Sequence, residues 1–137
     1  MNYFQVNVKY DRQVTEEDNS GSVKEIYLVK AETCSDAERI VLEEIKPYIF
    51  GDCETPKIQR KDYFDIFRIN IGEAYFEAKV ELITVDGDKE LRKAVPILIR
   101  EDNVYSAINA LMEQMKGCDY EIVSIKKTGI VDVLECD

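Results

Sequence analysis

The sequence predicts an α+β protein made of two tandem β-β-α-β repeats that form one pseudo-twofold domain, with helices packed on an antiparallel or mixed sheet. Three observations carry this reading. Similar segments recur in the same order: Tyr3–Val8 (YFQVNV) and Tyr75–Val80 (YFEAKV), Ser35–Lys46 and Tyr105–Lys116, Ile58–Ile66 and Ile125–Val133. Within each copy the apolar period changes from two to three or four and back, the signature of strand, helix and strand. Finally, 137 residues, 45% of them hydrophobic, suit a single domain with a real core. The expected organisation is one domain, 1–137, with repeats at about 1–70 and 73–137. The matched segments lie 72, 70 and 67 residues apart, so the length changes fall in loops, where insertions cost little.

Each copy opens with a half-buried strand, where Phe4, Val6 and Val8 alternate with polar residues. A hairpin loop follows, long and polar in the first copy (QVTEEDNSGS) and tight in the second, where Asp86-Gly87 signals the turn. A strand rich in β-branched residues comes next, near Val23–Lys30 and Lys93–Arg100. Pro96 removes a donor there, which predicts an edge strand or a bulge. The first helix is capped by Thr33 or Ser35, the latter in a capping box with Glu38. It buries Ala37, Ile40, Val41 and Ile45 and stops at Pro47. The second is capped by Asp102 or Asn103, buries Val104, Ala107, Ile108, Leu111 and Met115, and ends at Gly117. One long closing strand completes each copy, near Lys57–Phe67 and Tyr120–Leu134.

Composition narrows function. A net charge of −10 disfavours unspecific contact with nucleic acid or anionic membrane. No apolar run approaches the length of a membrane span, and the first residues lack the basic-then-apolar order of a signal peptide, so a cytoplasmic protein with no membrane partner is expected. The chain has no histidine, and Cys34, Cys53, Cys118 and Cys136 have no paired spacing, so reduced cysteines, buried or incidental, are expected and no cofactor or metal is assigned. Glycine-rich phosphate loops and nucleophile elbows are also missing from the sequence, and the expectation is a protein that is not an enzyme.

Two sets of residues remain as candidates. Lys57, Arg60 and Lys61 enter the first closing strand, and Lys126 and Lys127 occupy the matching place in the second. They could pair into a site for an anion or nucleic acid, with Tyr63 stacking, or they could be solvated charges that guard strand edges. Asp65 and Asp132 also match, within FDI and VDV. They could face each other across a pseudo-twofold axis to hold a metal or a basic partner; simple alternation would instead turn each to solvent.

The segments MNYFQVNVKYD, EEIKPYI, IQRKDYFDIF and MKGCDYEIVSIKKTGIVDV together resemble a family of small acidic proteins from Bacteroidales-type gut bacteria and their phages and mobile elements, catalogued only as a domain of unknown function. The resemblance spans nearly the whole chain and departs most in the QVTEEDNSGS loop. It implies a cytoplasmic accessory protein and brings no catalytic residues. The function expected is therefore non-enzymatic binding of a protein partner through a pseudo-symmetric surface. The alternatives are nucleic-acid or nucleotide binding through the basic residues, or inhibition by mimicry of DNA with rows of carboxylates. An exposed strand edge leaves room for a homodimer.

Overall fold

A computed structural model describes residues 2–12 and 22–135. The long first hairpin loop and Cys136 lie outside the described residues. The elements run β1 (Asn2–Arg12), β2 (Ser22–Ala31), α1 (Cys34–Ile45), β3 (Ile49–Arg60), β4 (Asp65–Phe67), β5 (Ala74–Asp86), β6 (Lys89–Glu101), α2 (Val104–Gln114), β7 (Tyr120–Lys127) and β8 (Ile130–Glu135). Among the described residues the fold is α+β, with two α-helices and two mixed sheets. Two compact units result: Met1–Asp62 with Gly129–Asp137, and Tyr63–Thr128.

In the first unit the strand order is β3-β1-β2-β8, with β8 parallel to β2 and the other pairs antiparallel. Alternation puts Phe4, Val6, Val8 and Tyr10 of β1 on one face with Tyr27 and Val29 of β2. Ala37, Val41 and Ile45 of α1 close over them. In the second unit the order is β4-β6-β5-β7, with β4 parallel to β6. Phe76, Ala78 and Val80 of β5 pack with Ile97 and Ile99 of β6 under Ala107, Leu111 and Met115 of α2. Of the residues expected to be buried on the helices, Ala37, Val41, Ile45, Ala107, Leu111 and Met115 are, whereas Ile40, Val104 and Ile108 are only partly covered.

The caps resolve the alternatives left by the sequence. Thr33 Oγ1 accepts from Asp36 N at 3.1 Å, so Thr33 caps α1 and the Ser35–Glu38 box does not set its start. Asn103 caps α2 reciprocally: its Oδ1 accepts from Ser106 N at 2.9 Å while Asn103 N donates to Ser106 Oγ at 3.3 Å. Gly117 takes a φ of 86° just past the helix end, a conformation that suits glycine. In the β5–β6 hairpin Asp86 faces Lys89, leaving Gly87 and Asp88 as the turn; Gly87, with φ of 64°, holds the position where a positive φ is needed.

Two strand expectations need correction. Pro96 marks neither an outer strand nor a bulge, because β6 lies between β4 and β5 and its register with β5 is unbroken. The reason is local. Pro96 O accepts from Phe64 N at 2.8 Å, and a residue's N and O point to the same side of an extended strand, so its missing N–H falls on the β4 side. There the β4 pairing begins only at Ile97, and no ladder bond is lost.

The second correction concerns the closing strands, each of which is two strands in different sheets. Lys61 N still donates to Tyr3 O of β1 at 2.9 Å; by Phe64 the backbone partner is Pro96, in the other sheet. At the matching place Thr128 N donates to Tyr75 O at 2.9 Å, and from Ile130 onward the chain pairs with β2. Each sheet thus takes one strand from the far end of the other half of the chain. Periodicity cannot report such an exchange, because the alternating pattern runs on through the break.

Candidate binding site

Between β4 and β5 lies Arg68–Glu73, RINIGE, whose alternation reads like more strand. It joins no sheet and is held by three consecutive residues at the end of β6. Arg100 Nε donates to Asn70 O at 3.0 Å and Arg100 Nη2 to Arg68 O at 3.1 Å. Asn70 Nδ2 donates to Glu101 Oε1 at 2.6 Å, and Glu73 N donates to Asp102 Oδ1 at 3.1 Å. Gly72 runs so close to this corner that a Cβ would sit 2.5 Å from Glu101 Cα, which only glycine permits. Glu101 is 7% exposed, the one buried charged residue among those described. A buried carboxylate is costly without partners, and the Asn70 amide supplies one.

This strap presents large apolar side chains to water. Ile69 is 70% exposed and Ile71 is 93% exposed, with Phe64 half exposed a few residues earlier. Isolated exposed apolar residues are ordinary, but two this exposed on one short braced segment are not. Beside the strap lies a cavity of about 450 Å³, lined by Phe67, Ile69, Asn70 and Glu101 and across from them by Ala110 and Gln114 of α2. Its polar lining comprises the Glu101 and Glu113 carboxylates, the carboxamides of Asn70, Asn109 and Gln114 and the Ser106 hydroxyl, with no cation, so an apolar side chain with a positively charged or donating tip suits it.

Residues 2–136 match the model of the domain of unknown function DUF4494. The chain belongs to the DUF4494 family. No curated protein matches it. Family membership therefore confirms the resemblance to an uncharacterised domain, and it adds no catalytic residue.

The residues singled out in this DUF4494 sequence are placed as follows. Residues directly opposite on neighbouring strands share a sheet face. Lys57 lies opposite Asn7 and Arg60 opposite Phe4, so the two are on opposite faces of the first sheet. Arg60 Nε is bound to Asp62 Oδ2 at 2.8 Å. Lys61 follows where the chain leaves β3. In the second unit Lys126 lies opposite Glu77, with its Nζ 3.9 Å from Glu77 Oε2, while Lys127 lies opposite Phe76 on the helix side. Within each unit the basic residues are split between faces.

Asp65 and Asp132 belong to different units and do the same local task. Asp65 Oδ1 accepts from Ile66 N, and Asp132 Oδ1 accepts from Val133 N, each at 2.8 Å. Each sits on a strand at one end of its sheet's order, and in each the carboxylate accepts from the N–H of the next residue. Cys34 and Cys118 are exposed free thiols; burial, with Glu38 and Glu54 nearby, pushes the Cys53 thiol up. No cluster of three metal-ligating side chains forms among the described residues. No described helix is long and apolar enough to cross a membrane.

What sequence reasoning missed is the strap with its Arg100-Glu101-Asp102 anchor. The available signal was the unused alternation of Ile69 and Ile71 ahead of Gly72. The anchor itself depends on tertiary contacts some 30 residues away.

Proposed function

We propose that this DUF4494 chain is a non-enzymatic binding protein of the cytoplasm, of phage or mobile-element type, which grips a protein partner through the strap Arg68–Glu73 and the adjoining α2 cavity. The observation that carries the reading is the fixation of Ile69 and Ile71. Apolar side chains held in water by a braced backbone lose little entropy on binding, so their burial goes largely into affinity. A partner side chain reaching the cavity would meet the Glu101 carboxylate and the carboxamides, which favours a lysine, arginine or hydroxyl tip. We further infer that the two halves descend from one duplicated unit, supported by the matched caps Thr33 and Asn103 and the matched aspartate bonds.

The nucleic-acid reading through Lys57, Arg60, Lys61, Lys126 and Lys127 has less support, because neighbouring members of the set lie on opposite sheet faces. The deciding experiment is a pull-down from native cells of the tagged protein and of Ile69→Glu/Ile71→Glu, each with and without nuclease. A stoichiometric protein that survives nuclease and is lost with the variant, whose circular dichroism stays unchanged, supports the reading. Material that is nuclease-sensitive, or captured equally by both proteins, would sink it.

A further inference from the structure

The face of the first sheet away from α1 carries an arrangement that none of the preceding assignments uses. Register places Lys9 of β1 directly opposite Lys24 of β2, and the next row sets Asn7 between Lys57 and Ile26. The bulge that contains Thr55 and Pro56 on edge strand β3 brings Lys57 into that row. Three lysines thus share a small area of a chain whose net charge is −10. Like charges directly opposite in an antiparallel pair destabilise it. Lys9, Lys24 and Lys57 all stand exposed, and no ion pair with a described residue relieves them.

A cavity of about 630 Å³ lies on this face, lined among others by Asn7, Lys9, Lys24, Ile26, Glu54 and Gly129. Among its lining residues, Asn7 has a buried Oδ1 that accepts no hydrogen bond from a described residue. An orphaned buried acceptor is a cost that native structures rarely carry without a ligand or water to meet it. Two carboxylates line the same cavity. Glu25 accepts from Tyr10 Oη, on the α1 side of the sheet, and Glu54 lies opposite Lys9 at the edge. The lining itself pairs two lysines with two carboxylates, and with Glu25 engaged by Tyr10 on the other side of the sheet, Lys57 in the next row tips the neighbourhood of Lys9 and Lys24 towards positive charge.

We propose that this cavity binds a small phosphate ester that bears free hydroxyls. The ammonium groups of Lys9 and Lys24 take the phosphate, with Lys57 beside them, which removes their mutual repulsion. A ligand hydroxyl donates to Asn7 Oδ1, and the carbon skeleton lies over Ile26 where Gly129 leaves room. A Cβ at Gly129 would press to 3.2 Å from Ile26 Cδ1, so glycine keeps that wall open. The equivalent face of the second unit has Glu81 in the place of Lys9 and Ala94 in the place of Lys24, so the site belongs to the first unit alone.

The test uses the full chain, labelled with nitrogen-15 and titrated in low-salt chloride buffer with inorganic phosphate, ribose 5-phosphate and neutral ribose. Saturable amide shifts confined to the neighbourhood of residues 7–9, 24–26 and 57 are expected with both phosphates, tighter for ribose 5-phosphate, and absent with ribose. Lys9→Ala/Lys24→Ala should weaken both phosphates by about tenfold or more. Asn7→Ala should leave inorganic phosphate binding in place and abolish the advantage of the ester. Lys24→Gln should raise the Tm of the free protein at low salt, a readout independent of any ligand. The proposal is overturned if neither phosphate gives saturable shifts, if the double variant binds as wild type does, or if the ester shows no advantage over inorganic phosphate.

Discussion

Tyr63 shows how much one side chain can report about its surroundings. Its hydroxyl donates to Glu77 Oε1 at 2.9 Å, and burial, reinforced by that bond and the nearby charge, pushes its pKa well above the ordinary tyrosine value. A raised pKa means that the folded state holds the phenolic proton more firmly than the unfolded chain. The stabilisation is fully present below the unfolded value of about 10 and is lost as pH rises through the folded one. Tyr63→Phe should therefore cost about 1 kcal/mol at neutral pH, the worth of one hydrogen bond, and should flatten the alkaline loss of stability. Urea titrations at pH 7 and above pH 10 measure both effects; a variant with an alkaline limb as steep as wild type would show that Tyr63 does not govern it. Sequence had marked Tyr63 only as a stacking candidate beside lysines. Tyr63 lies between β3 and β4 and its acceptor, Glu77, is 14 residues away on β5, a tertiary contact that the sequence does not state.

Elements were the most legible level, because helices and hairpins are specified by nearby residues. The apolar stripes of α1 and α2 were readable from spacing, and Thr33 and Asn103 stood among the cap candidates since an oxygen-bearing side chain there can take the free N–H of the first turn. The closing strands were not legible as built. Alternation identifies a strand, but not the sheet in which it pairs, so IQRKDYFDI looked continuous although its two ends pair with different strands. The strap was hidden for the same reason: RINIGE has a strand-like pattern and no ladder. The caps also make a test at this scale. Thr33→Ala and Asn103→Ala should each lower stability by about 1 kcal/mol, and Asn103→Ala by the larger amount, because it also frees the Ser106 hydroxyl from its reciprocal role. Denaturant midpoints decide this; equal or negligible losses would mean that packing of the helix faces, and not capping, fixes where the helices start.

At the scale of the whole chain the exchange of strands has a consequence for completion of the fold. The second unit is continuous, Tyr63–Thr128, and everything it needs has been synthesised once Thr128 is added. The first unit is discontinuous and waits for β8, which pairs in parallel with Ile26–Lys30 of β2. That strand brings the buried side chains of Ile130 and Val133 and a bond from Tyr3 Oη to Glu135 Oε1 at 2.6 Å. Burial of an Ile or Val side chain contributes about 1.5–3 kcal/mol, so loss of the pair removes a sizeable part of the roughly 5–15 kcal/mol that holds a domain together. A chain ending at Thr128 should accordingly lose amide protection along Tyr27–Lys30 and across the β1–β2 ladder, while the β5–β6 ladder keeps its slow exchange. Adding the missing strand as a synthetic peptide, Gly129–Asp137, should restore protection to β2 first, since that is the strand it pairs with. Hydrogen exchange followed by mass spectrometry reads both units in one experiment. Unchanged protection of β2 in the shortened chain would mean that β8 is an ornament on a sheet already stable without it, and the first 62 residues would then have to be regarded as a sufficient folding unit.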